Sequence, residues 1–176
     1  MVVFGSAVGV VLLSIVYVRA HPLVFNECFF GHAHCMKSAG LGLESYAADH
    51  GGRFPFHTNG CAAALALAVA GGYCCDSELT GPGYVTRVYV QGLSRANDGQ
   101  LAMLFDKVPT PGGDHCHFFQ RMRAPLGREV YTIGNGMRFI PQREWSKFSI
   151  EQVNLLVAAG IRRREAEDYY SEIPRR

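Results

Sequence analysis

Met1 to Val18, MVVFGSAVGVVLLSIVYV, holds no charged side chain and stops at Arg19. A run that is apolar on every face and terminal favours a bilayer or an export machinery around it over the alternative of a buried helix in a soluble protein. Its length falls between the core of a signal peptide and a full membrane span, and both readings carry the residues after it across a membrane. We expect residues 1–20 to be a retained single-pass anchor, a transmembrane helix with Tyr17 and Arg19 at the interface. Cleavage near Ala20, which leaves His21 first, is the alternative and gives a secreted protein. The remainder, residues 21–176, is the size of one ordinary domain, and the 48% hydrophobic content can fill one core.

The formal net charge of +2 creates no strong field, which argues against a nucleic-acid platform. The basic run Arg162-Arg163-Arg164 is followed by Glu165, Glu167 and Asp168 and reads as a solvated helix face. Six cysteines, Cys28, Cys35, Cys61, Cys74, Cys75 and Cys116, permit up to three disulfides in an exported chain. Their spacing does not fix a pairing, although a bond between the neighbours Cys74 and Cys75 would be strained.

From Leu23 to about His50 the apolar residues recur at three and four, through Cys35, Ala39, Leu43, Tyr46 and Ala47, as on one helix face. Gly31, Gly40 and Gly42 weaken that helix, Gly51-Gly52 stop it, and Pro55 forbids its continuation. Ala62 to Ala70 predicts a second, small-residue helix closed by Gly71-Gly72. Val85 to Gln91 and Leu101 to Lys107 read as strands, and the turn-rich VPTPGGDH, Val108 to His115, comes after them. Val130 to Ile133 and Met137 to Ile140 flank Gly134-Asn135-Gly136 as a hairpin. A helix is expected from Trp145 to Ala159, ended by Gly160, and a short exposed one from Arg162 to about Tyr170.

With those residues in view, the chain resembles the type IV pilin and type II secretion pseudopilin superfamily. Cys35, Lys37, Gly40, Leu41, Leu43, Tyr46, Gly52, Phe54 and Pro55 match the pattern at the end of that family's long N-terminal helix. Asp106-Lys107, Gly112-Gly113-Asp114 and the hairpin Val130 to Phe139 follow in the same order as a second family pattern. The resemblance implies an α+β fold in which a long N-terminal helix, membrane anchor plus amphipathic spine, packs on a small antiparallel sheet with short C-terminal helices. It also implies that Leu41, Leu43 and Tyr46 dock the sheet. Gly5 is followed by Ser6 and no acid precedes Glu27, so the glutamate that registers pilin subunits is missing. The likeness therefore implies the fold more than it implies a filament.

Two clusters could carry chemistry. His115, Cys116 and His117 offer ligands for zinc or copper and a thiol beside two bases, although in a strand Cys116 faces away from both histidines. His32 and Cys35 stand one helical turn apart and could complete such a site if the fold joined the two segments. Asp49, Asp106 and Asp114 could offer oxygens to calcium, which some pseudopilins of similar fold bind, but no dense acidic loop accompanies them. No phosphate loop, dinucleotide fingerprint or nucleophile elbow is present.

The expectation is a non-enzymatic, pseudopilin-like protein of the inner membrane with its C-terminal domain in the periplasm. Its partners would be the membrane and other pilin-like or secretion-system subunits. The alternative is an exported metal- or thiol-dependent protein that uses His115, Cys116 and His117.

Overall fold

The computed structural model describes residues 36–76, 79, 87–111 and 125–171. Among these, helix α1 (Met36–Asp49) buries Met36, Ala39, Gly40, Leu43 and Ala47, a single face at three- and four-residue spacing. The expected stop is present: Gly51 and Gly52 take φ of 65° and 81°, and the Gly52 amide reaches back to the Ala47 carbonyl at 2.7 Å. The chain then turns beside the segment at Leu93–Arg95, with Arg95 N donating to Gly52 O at 2.8 Å and Phe54 N to Leu93 O at 3.2 Å. Helix α2 (Cys61–Ala70) comes next and is closed by amides of Gly71 and Tyr73 bonding to Leu67 and Ala68.

Five strands form one antiparallel sheet: β1 (Arg87–Tyr89), β2 (Ala102–Asp106), β3 (Thr110–Pro111), β4 (Leu126–Thr132) and β5 (Gly136–Pro141). Because β5 runs along nearly the whole of β4, β2 and β3 share β4's other side, so the sheet is four positions wide. The hairpin is there, with its turn one residue earlier than expected, at Ile133–Asn135, and Gly136 at φ 67° pairing with Thr132. Helix α3 (Gln142–Ala158) starts directly after β5, three residues before the expected Trp145, and Gly160 at φ 93° ends it.

Period-2 alternation gives the two faces of the sheet different partners. Tyr131 and its register neighbour Leu104 face α1, where the Tyr131 ring lies against Gly40. Phe105 and its neighbour Val130 face the C-terminal helices, where Phe105 meets Trp145 of α3 at 5.7 Å between ring centres. The register between β2 and β4 slips between Ala102 and Leu104, and the Ala102 amide turns to the Gln152 side chain at 2.8 Å. Gln152 also donates to Gln100 O at 3.0 Å, so one buried amide side chain ties α3 to the irregular start of β2.

Two expectations are corrected. Helix α4 (Arg163–Tyr170) is not simply exposed: Ala166 and Tyr170 are buried, and Tyr170 stacks on Phe105 with ring centres 4.7 Å apart. Gly40 and Gly42 do not merely weaken α1, because each is a contact point where side chain or backbone comes too close for a Cβ. The result is an α+β domain in three layers, with α1 on one face of the antiparallel sheet and α3 with α4 on the other.

Candidate functional site

The residues singled out for metal or thiol chemistry, His32, Cys35, His115, Cys116 and His117, lie outside the described residues, as does Asp114. So do residues 1–20, on which the anchor expectation rests. Among the described residues no helix is long and apolar enough to cross a membrane, and no three His, Cys, Asp or Glu residues stand together as a metal site. Pro111 on β3 and Leu126 on β4 are register partners.

The two described carboxylates that could have served calcium are held by other groups. Asp49 accepts a hydrogen bond from the Tyr73 hydroxyl at 2.9 Å, on a surface where Tyr46 stacks on His50 and meets the Tyr73 ring edge-on. Asp106 is buried at the end of β2, where Arg87 Nε stands 3.7 Å from Oδ1 and the Glu129 amide donates to Oδ2 at 3.3 Å.

The docking residues also divide. Leu43 is fully buried and Tyr46 is half-buried against Tyr73, but Leu41 is 52% exposed and contributes little to the docking. Its place is taken by Gly40, which seats the Tyr131 ring, and by Met36 and Ala39. Leu41 lies one residue beyond Gly40, about 100° around the helix and off the buried stripe. On the same helix Glu44 pairs with Arg95 at 3.3 Å, and burial of Glu44 holds its carboxyl above the usual range against the pull of that arginine.

A row of charges crosses the sheet on the α1 side. Arg87 on β1 pairs in register with Asp106 on β2, and Glu129 on β4 sits beside Asp106. The side chains of Arg87 and Asp106 are only 2% and 5% exposed. Burial is the main force on Asp106 and the nearby Glu129 adds to it; together they push the carboxyl up to about 7 against the counter-pull of Arg87. The opposite face of β4 carries a second buried cation, Arg128, with its guanidinium carbon 4.2 Å from the Trp145 ring centre. Arg128 donates to Lys107 O at 3.2 Å and to Gln142 Oε1 at 2.6 Å.

The sequence did carry a signal for the row. Arg87 and Asp106 are opposite charges at the ends of two apolar strand segments, and antiparallel pairing brings such ends together.

The Cys61 thiol, at the start of α2, lies beside the Tyr169 side chain of α4. Burial pushes the thiol above its ordinary value, which favours the protonated form. Cys74 is buried under α1, with Sγ 3.7 Å from the Ala39 carbonyl oxygen. No protein-family model, curated protein or solved structure matches the chain.

Proposed function

We propose that the chain is a non-enzymatic, pseudopilin-like module of the inner membrane, with its α+β domain held on the periplasmic side to meet other subunits of a secretion or pilus-like assembly. What supports the reading is α1. A helix of this domain lies across β2, β4 and β5 with a continuous buried face, closes on a glycine pair, and comes after the uncharged run Met1 to Val18 in the chain. A spine that enters the domain on the sheet's face lets a membrane segment and a rigid sheet share one element.

Fractionation of the expressed protein, with intact-mass measurement of the membrane and soluble pools, tests this. A full-length mass in the membrane pool is expected. A soluble product that begins near His21 overturns the anchor, and zinc or copper bound stoichiometrically after purification without added ions overturns the non-enzymatic reading in favour of the His115–His117 segment.

A further inference from the structure

We propose that Asp106 is a buried proton-binding site whose charge state sets how firmly the edge strand β1 is held to the rest of the sheet. β1 is three residues long and pairs with β2, and the pair Arg87 with Asp106 closes its first rung. Asp106 is 4% exposed, and among the described residues its Oδ1 has no hydrogen-bond partner while its Oδ2 accepts one long bond from the Glu129 amide. Arg87 Nε stands 3.7 Å from Oδ1, and both the Arg87 side chain and the Glu129 amide favour the ionised form, but they do not make up for the water that burial has removed from Asp106.

Among the described residues, the charged groups that act on this carboxyl are Arg87 from β1 and Glu129 from β4. Arg128, next along β4, faces the other side of the sheet over Trp145, and β3 consists of the uncharged Thr110 and Pro111. Lys107 is half-buried beside Asp106 in the chain. One cation and one carboxylate thus flank the site with opposite sign, and desolvation decides the balance.

Linkage sets the direction. In the unfolded chain Asp106 ionises near 3.8, while in the folded one it keeps its proton to about 7. Between those values folding takes up a proton, so stability is greatest on the acid side and falls as pH rises through the window, becoming level above it. Once ionised, the carboxylate regains water most easily by parting β1 from β2, because among the described residues β1 is a three-residue strand at the end of the sheet. Arg87, Asp106 and Glu129 all lie within the sheet, so the site is the same whichever membrane topology the chain adopts.

The test uses the full-length protein in detergent micelles or buffer. Amide exchange at Val88 to Val90, corrected for the intrinsic pH dependence and compared with amides of α3, is expected to speed by about tenfold between pH 6 and 8. Asp106→Asn should abolish that pH dependence, and Glu129→Gln should move it to lower pH by removing the neighbouring negative charge. Should Asp106→Asn fail to fold, the carboxyl carbon of Asp106 in the wild-type protein is followed by NMR. A midpoint near 7 supports the proposal. A midpoint below about 5, close to the free carboxyl value, overturns it. So does unchanged pH-dependent exchange in Asp106→Asn.

Discussion

Gly40 shows how one side chain's absence sets the distance between a helix and a sheet. A Cβ built there overlaps the Tyr131 ring, so a methyl group must push the ring or the helix away. Alanine favours a helix over glycine by about 1 kcal/mol, and overpacking a filled core costs about 1–3 kcal/mol. Because the clash is with a buried ring on a central strand, the second effect should win. Gly40→Ala is expected to destabilise the domain by about 1–2 kcal/mol in urea unfolding. Pairing it with Tyr131→Leu should return part of that loss, and strict additivity would show that the ring is not what the methyl group meets. Tyr170 offers the opposite case. Its ring is stacked in the core, yet its hydroxyl is buried without a hydrogen-bond partner among the described residues. Removing an unsatisfied polar atom while keeping the ring should help, so Tyr170→Phe is expected to raise stability by about 1 kcal/mol. A loss in that variant would reveal a bonded hydroxyl.

At the scale of elements, helices α1, α2 and α3, strands β1 and β2 and the β4–β5 hairpin were legible from apolar period and turn residues, because each carries its own local signal. β3 was not legible: Thr110–Pro111 is two residues inside a stretch rich in proline and glycine, and it becomes a strand only because β4 lies beside it. The burial of α4 was hidden for a related reason. Its charged residues, Arg163, Arg164, Glu165, Glu167 and Asp168, speak for a solvated helix, while its attachment depends on buried Ala166 and on Tyr170 reaching Phe105 and Trp145. Tyr170→Ala is expected to cost about 3–4 kcal/mol, in line with other aromatic truncations in cores. It should also expose α4 to proteolysis before α3. If both helices become cleavable together, α4 is not a separately detachable element. Gln152→Ala leaves the Ala102 amide without its partner at the register slip, and a loss of about 1–3 kcal/mol is expected from thermal unfolding.

For the whole molecule, the charge row and the proposed anchor are separable, because they sit in different parts of the chain. Histidines and cysteines stand out in the sequence as a candidate site because their chemistry is obvious one residue at a time. Asp106 becomes unusual only when β1, β2 and β4 assemble and remove its water, a property of three strands and not of a motif. The proposed anchor, by contrast, is read from composition alone, and charges placed in that run test it separately from the sheet. Replacing Leu12 and Leu13 by lysine puts two charges into the apolar run at a cost of about 2.5–3.5 kcal/mol each near a bilayer centre. The expected outcome is loss of the protein from floated membranes, with the folded domain unchanged. The fall in stability as pH rises toward about 7 should persist in the released protein with the same midpoint, since Arg87, Asp106 and Glu129 keep their places. If the double variant still floats with membranes, the apolar run is not the anchor. If it is released but its pH dependence vanishes, the proton site depends on the membrane segment and is not a property of the sheet.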